Sequence, residues 1–410
     1  MLRTLFIFLS NFFALTDGYC QHTPYVILVS FDGFRYDYME KVDAPNFKAI
    51  VKNGTHADGL IPSFPSKTFP NHYSIVTGLY PGNHGLVDNS FYDPERKELY
   101  EMKNRERARD PYYYGGIPLW QLARQQGLKS ASFFWVGSEL PQKELHPDYY
   151  FPYDESVPDT VRVQQVVQWL ELPESERPHF ITLYFSSPDH EGHNFGPSSS
   201  ETKNAILTSD HLLGMLIQKL QKLQLPVNVI VVSDHGMEEL KAVPETYIFL
   251  REILNPRDTT VKVVNTGTQA HLYVKSASKL DSIYKTLKSN ARDYSVYKQS
   301  EFPKRWHYNT PRSGDILITA HLGFYLIDRE KKQWLANIQP GAPFGVHGYD
   351  PAVSKNMRGI FYAIGPNIKA GKKIEAFENI HIYPLIAAIL GLTTPAVDGD
   401  GKVLKNVLVH

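Results

Sequence analysis

Three runs of apolar, β-favouring residues, 25–30 (YVILVS), 180–185 (FITLYF) and 227–232 (VNVIVV), lack the polar alternation of a strand with one wet face. Each therefore reads as a strand covered on both sides, as in a largely parallel sheet flanked by helices. Helical periodicity marks residues 45–52, 118–126, 161–172 and 201–224, and residues 130–136 add a further strand. Strands alternating with helices imply crossover units, hence an α/β fold with helices on both faces of a central sheet. From about residue 242 to 345 the pattern loosens. Short strands near 261–264, 270–274 and 316–327 and a helix near 279–290 read there as a smaller α+β insertion within a domain spanning residues 22–410. The main pattern resumes with a strand at 359–364 and a packed helix at 380–392. The charged run 93–110 reads as a solvated loop, and the aromatic stretch 149–154 as a loop able to stack on a flat ligand.

The apolar runs share a second property: each stops at an acid. Asp32 follows the first, Asp189 with His193 the second, and Asp234 with His235 the third. Open α/β sheets take their ligands at the carboxyl ends of strands, which is where these residues fall. A single aspartate after a strand is ordinarily a helix cap, and a lone histidine is ordinarily a satisfied surface or core residue. Three such endings, joined by His347 in the later turn 346–350, are hard to assign to capping. Three aspartates and three histidines make two mixed oxygen and nitrogen sets, the ligand chemistry expected of two zinc ions in a chain whose sole cysteine is Cys20.

Residues 63–80 (SFPSKTFPNHYSIVTGLY) present Thr68 at the start of a helix, with Pro70 in its first turn and Gly78 closing it. Thr68 taken alone is an ordinary N-cap. Beside a metal ion its hydroxyl becomes a nucleophile, and the helix start favours an incoming phosphate. Asn89, in the turn-rich stretch 83–89, is either a turn residue or a donor to a phosphate oxygen. His72, His84 and His190 lie near these motifs and are assigned structural roles.

Lys plus Arg equals Asp plus Glu at 43 each, so no global field draws in nucleic acid polymers or anionic membranes, and a small charged substrate must be held locally. Residues 1–21 carry Arg3 and an apolar run from Leu5 to Leu15 broken by Ser10 and Asn11. This outlines a secretory signal, too short for a comfortable span, so a secreted or periplasmic protein is expected, a retained anchor being the weaker alternative. No later segment has the length of a transmembrane helix. Cys20 falls inside the leader, which leaves a mature chain without disulfides. A single sequon, Asn53-Gly54-Thr55, marks a possible glycosylated surface.

Eight motifs occur in order: SFDGFR at 30–35, KTFPNHY at 67–73, TGLYP at 77–81, DNSFYDP at 88–94, PDHEGH at 188–193, SDHGM at 233–237, RWHY at 305–308 and HGYD at 347–350. In these the sequence resembles the nucleotide pyrophosphatase/phosphodiesterase family of the alkaline phosphatase superfamily, in a compact, catalytic-domain-only form. The resemblance implies one zinc ion held by Asp32, Asp234 and His235 with Thr68 alongside, and a second held by Asp189, His193 and His347. It implies a Thr68 nucleophile, a threonyl-nucleotide intermediate and release of a nucleoside 5′-monophosphate from a nucleotide or other small phosphodiester. Asn89 matches a phosphate-oxygen donor, and Phe69 and Tyr153 match a pair that sandwiches a nucleobase. Lys67, the one cation beside Thr68, is expected to contact a substrate phosphate. A phosphomonoesterase or a choline-phosphate lipid diesterase would use the same scaffold, whereas a sulfatase would need Cys or Ser in place of Thr68. A binding module that had lost catalysis would be expected to lack a ligand or the nucleophile.

Overall fold

The computed structural model describes residues 23–409, and the leader expected over residues 1–21 lies outside them. In chain order the main elements are β1 (Tyr25–Phe31), α1 (Pro45–Asn53), β2 (Thr55–Ala57), α2 (Thr68–Thr77), α3 (Leu119–Gln125), β3 (Ser130–Phe133) and β4 (Tyr149–Phe151). There follow α4 (Asp159–Leu170), β5 (Phe180–Phe185), α5 (Asp189–Phe195), α6 (Ser200–Leu220) and β6 (Val227–Val232). Strands β7 (Val261–Asn265) and β8 (Gln269–Val274), helix α7 (Ala277–Ser289), and strands β9 (Tyr294–Lys298) and β10 (Ile316–Ala320) come next. The chain closes with β11 (Phe361–Ile364), β12 (Lys372–Ile374) and α8 (Ile382–Leu390).

Eight strands form the main sheet in the order β12-β2-β11-β6-β1-β5-β3-β4. Strand β1 lies parallel to β5 on one side and β6 on the other, and β11 alone runs against its neighbours. The alternation hidden in the apolar runs now has a meaning. Val26 and Leu28 join a core with Ile75 and Val76 of α2, Trp120 of α3 and Ile386 of α8. Ile27, Val29 and Phe31 point the other way, to Phe47 of α1, Val163 of α4 and Leu213 of α6. The sheet is thus apolar on both faces because both are roofed by helices, and each fully buried aliphatic on β1 stabilises by about 1.5–3 kcal/mol.

A separate four-stranded antiparallel sheet, β7-β8-β10-β9, carries its own core around Leu272, Val296 and Ile318 with Leu287 of α7. Two stretches differ from their sequence reading. Residues 93–110 include a hairpin, Ser90–Asp93 against Glu98–Glu101, and a short helix, Arg105–Ala108. The aromatic stretch 149–154 begins as the edge strand β4. No helix among the described residues is long and apolar enough to cross a membrane.

Candidate metal and phosphate site

Strand ends gather the acids. Asp32 follows β1 directly, and Gly33 turns the chain with φ of +66°. A Cβ on Gly33 would lie 2.7 Å from Asp189 Cβ, so this close approach requires glycine. The Asp189 N–H donates to the Asp32 carbonyl at 3.0 Å, which locks the loop after β5 to the loop after β1. Asp189 opens α5, and the four-residue spacing brings His193 to the same side, with Nε2 3.5 Å from Asp189 Oδ1. His347 Nε2 lies 3.9 Å from the same oxygen. Ligand atoms of Asp189, His193 and His347 all fall within 4.8 Å of one another.

The other acids converge beside them. His235 Nε2 is 3.0 Å from Asp234 Oδ2 and 3.6 Å from Asp32 Oδ1. Asp32, Asp189 and His235 form a second group within 4.8 Å, so the two sets abut, and the His235 and His347 rings stack with centroids 3.6 Å apart. All six residues singled out in the sequence meet at one rim of the main sheet.

Their hydrogen bonds fit a cation. His193, His235 and His347 place Nδ1 at 2.7, 2.8 and 2.8 Å from the carbonyl oxygens of Gly345, Gly236 and Ser66. A carbonyl only accepts, so each ring donates from Nδ1 and turns its Nε2 toward the acids. Asp32 Oδ1, Asp189 Oδ1 and Asp234 Oδ2 are buried without a hydrogen-bond partner. Burial, then repulsion from Asp234 and Asp189, push the Asp32 carboxyl well above the usual range. Burial alone would do the same to Asp234, but His235 and His72 hold it well below. Burial and the neighbouring His235 and His193 keep His347 neutral, its value far below ordinary histidine. Burial would lower His235, but Asp234 beside it holds it above the ordinary value. Carboxylates with buried, orphaned oxygens beside three imidazoles form a donor set suited to a divalent metal such as zinc.

Thr68 is the first residue of α2, not its cap. Lys67 occupies the cap position with no side-chain capping bond, while Thr68 Oγ1 lies 3.3 Å from His235 Nε2. The Asn89 side-chain oxygen accepts the Phe69 N–H at 2.9 Å, which leaves its amide N–H donors free. Thr68, Asn89, Phe69, Tyr153, Asp32, Asp189, His193 and His347 line one cavity of about 750 Å³. Lys67 does not. Its buried ammonium instead donates to the Thr266 carbonyl at 2.8 Å and the His347 carbonyl at 3.1 Å. This differs from the substrate contact expected of it.

The sequence reading passes over Tyr184, Lys103 and Arg105 and gives His72 only a structural role. Tyr184 lies inside the apolar run of β5, yet its hydroxyl donates to Asp32 Oδ2 at 2.7 Å and its ring lines the cavity. His72 is wholly buried, with Nε2 2.8 Å from Ser30 Oγ and Nδ1 3.0 Å from the Thr68 carbonyl and 3.4 Å from Asp234 Oδ2. With Asp32 and Asp234 it makes a third group of converging ligand atoms. Lys103 and Arg105, from the stretch read as a solvated loop, also line the cavity, and Arg105 makes a two-pronged pair with Glu139 at 2.7 Å for each contact. Only the position of His72 four residues after Thr68 offered a signal, since i and i+4 share a helix face.

Known proteins resemble the chain in sequence and in fold. The chain is 37% identical over 404 residues to human ectonucleotide pyrophosphatase/phosphodiesterase family member 1, covering 94% of this chain and 42% of that protein. It is 35% identical over 396 residues to a venom phosphodiesterase of Crotalus durissus collilineatus, covering 93% and 46%. The chain thus spans less than half the length of these relatives. Among solved structures it resembles murine ectonucleotide pyrophosphatase/phosphodiesterase 5, in an inactive threonine-to-alanine variant in complex with AMP, with a TM-score of 0.86 at 32% identity. That match covers 94% of this chain and 100% of the other. The profile described as type I phosphodiesterase / nucleotide pyrophosphatase matches residues 26–350, and the chain belongs to that family.

Proposed function

We propose that this chain is a secreted two-zinc nucleotide pyrophosphatase/phosphodiesterase that releases nucleoside 5′-monophosphates through a threonyl-nucleotide intermediate. The observation that carries the reading is the convergence of three orphaned carboxylate oxygens and three imidazole Nε2 atoms beside the Thr68 hydroxyl. Asp32, Asp234 and His235 would hold one ion, and Asp189, His193 and His347 the other. When bound, such ions supply Lewis-acid stabilisation of the charged oxygens of phosphoryl transfer. Thr68 Oγ1 forms a bond to phosphorus as the bond to the leaving oxygen breaks, and water then cleaves the threonyl–phosphorus bond. Asn89 donates from its side-chain amide to a non-bridging phosphate oxygen, where added charge is felt most. Phe69 and Tyr153 hold the base by stacking, which tolerates any flat ring.

The murine relative in an inactive threonine-to-alanine form with AMP supports both the nucleophile and the nucleotide. The inward turn of Lys67 supports a diester over a monoester, since the cation adjacent to Thr68 is engaged with main-chain carbonyls. The test is hydrolysis of a nucleoside 5′-monophosphate nitrophenyl ester against nitrophenyl phosphate, by wild type and Thr68→Ala, with and without chelator. Strong preference for the diester, lost on chelation and in Thr68→Ala, is the expected result. Preference for the monoester would change the reaction class, and activity surviving in Thr68→Ala would remove the nucleophile.

A further inference from the structure

The hydrogen bonds of Asn89 lead away from the cavity and into the four-stranded sheet. Its main-chain N–H donates to Asp88 Oδ1 at 2.7 Å. Asp88 Oδ2 accepts the Thr266 hydroxyl at 3.0 Å and lies 3.2 Å from His271 Nε2. On the far side of the ring, His271 Nδ1 is 3.0 Å from the Ser313 carbonyl oxygen. The His271 ring thus bridges the Asp88 carboxylate and the Ser313 carbonyl through its two nitrogens. Asp88 and His271 are each wholly buried.

The same short stretch reaches the rest of the site. Thr268 donates to the His347 carbonyl at 3.1 Å, and the Gln269 side chain to the Gly348 carbonyl at 2.6 Å. Lys67 joins the Thr266 and His347 carbonyls. The turn between β7 and β8 and the start of β8 therefore tie together Asn89, His347 and the residue before Thr68. Neither Asp88 nor His271 lines the cavity.

We propose that the Asp88–His271 pair is a positioning device. It fixes the Asn89 main chain so that the side-chain amide meets the non-bridging phosphate oxygen, and through it the four-stranded sheet acts on phosphoryl transfer from behind the cavity. This rests on the reading of Asn89 as a phosphate-oxygen donor. A pair that merely fastened the small sheet to the large one would lower stability on removal without acting through Asn89.

The experiment compares metal-loaded His271→Gln, Asp88→Asn and Asn89→Ala, and the two double variants with Asn89→Ala, in turnover of the nucleoside 5′-monophosphate nitrophenyl ester. Each of the first two is expected to lower kcat by about 10–100-fold, the scale seen when a supporting hydrogen bond behind a site residue is lost, with KM changing less than about threefold. Added to Asn89→Ala, neither lowers kcat further. Amide hydrogen exchange of residues 86–92, followed by mass spectrometry, is faster in both. If His271→Gln does not fold, Thr266→Val removes one donor to Asp88 and gives the same pattern with a severalfold loss. Unchanged kcat, losses that multiply in the double variants, or unchanged exchange at residues 86–92 would overturn the positioning role. Absence of turnover by the wild type would instead overturn the reading of the site.

Discussion

A histidine offers a metal ion one lone pair, and the contact made by its other nitrogen decides which one. In His193, His235 and His347 that contact is a main-chain carbonyl, so the rings arrive with Nε2 toward the acids before any ion is bound. Replacing one ring separates the two sets. His193→Ala leaves Asp189 and His347 as the protein donors of its set and does not touch Asp32, Asp234 or His235. The expected metal content, by plasma mass spectrometry after dialysis, falls from two ions per chain to one. Retention of two would remove His193 from the ligands. The proposed role of Thr68 is tested at the same scale: Thr68→Ala should lower turnover at least about a thousandfold, while Thr68→Ser, which keeps a hydroxyl on the first residue of α2, should recover part of it. Equal activity in the two variants would argue against covalent catalysis at this position.

At the scale of elements, α2 depends on a histidine that takes no part in the chemistry. His84 Nδ1 accepts the Leu86 N–H at 3.2 Å, and Nε2 lies 3.0 Å from Ser74 Oγ and 3.2 Å from the Pro70 carbonyl, joining the following turn to the helix that carries Thr68. A ring that accepts at one nitrogen and donates at the other is neutral, and burial lowers its value to about 3. The unfolded ring titrates near 6.5. Between those values the unfolded chain binds a proton that the folded chain does not. The contribution of His84 is therefore complete above about pH 6.5 and is lost as pH falls toward 3, at about 1.4 kcal/mol per pH unit. Denaturant unfolding of His84→Gln and wild type at pH 4, 5 and 6 should differ in slope by about one proton. Parallel slopes would mean that the folded protein admits the protonated ring.

The elements also explain what was legible in advance. Asp32, Asp189, Asp234 and Thr68 sit where an apolar run or a helix begins or ends, and such boundaries are local signals. Tyr184 and His72 act from within buried segments, where nothing in the sequence distinguishes a packed ring from one that contacts a site acid. The hairpin at 90–101 was hidden because its turn charges, Glu95, Arg96 and Lys97, face water while Phe91 and Tyr100 stack beneath them at 4.7 Å. For Lys67, residue type gives the charge but not its destination, which two main-chain carbonyls distant in sequence, those of Thr266 and His347, decide.

For the whole molecule, equal numbers of acidic and basic residues leave no long-range field, so the concentrated charge at the sheet rim must be balanced on the spot. Asp32, Asp189 and Asp234 each keep an orphaned oxygen in the interior, and the first is held from ionising by burial and by the other two. A cation that binds there binds the folded chain and not the unfolded one, so it stabilises by about 2.7 kcal/mol at a hundredfold excess over its Kd. Chelation should then lower the melting temperature by several degrees, with zinc restoring it in a concentration-dependent way. Asp234→Asn should melt independently of zinc over part of that range, because one orphaned charge is gone while the Asp189, His193 and His347 set remains. Scanning calorimetry of both proteins across a zinc titration distinguishes the outcomes. Identical melting with and without chelator would mean that the three carboxylates are protonated or hydrated in the free protein, and that the rim holds together without a bound ion.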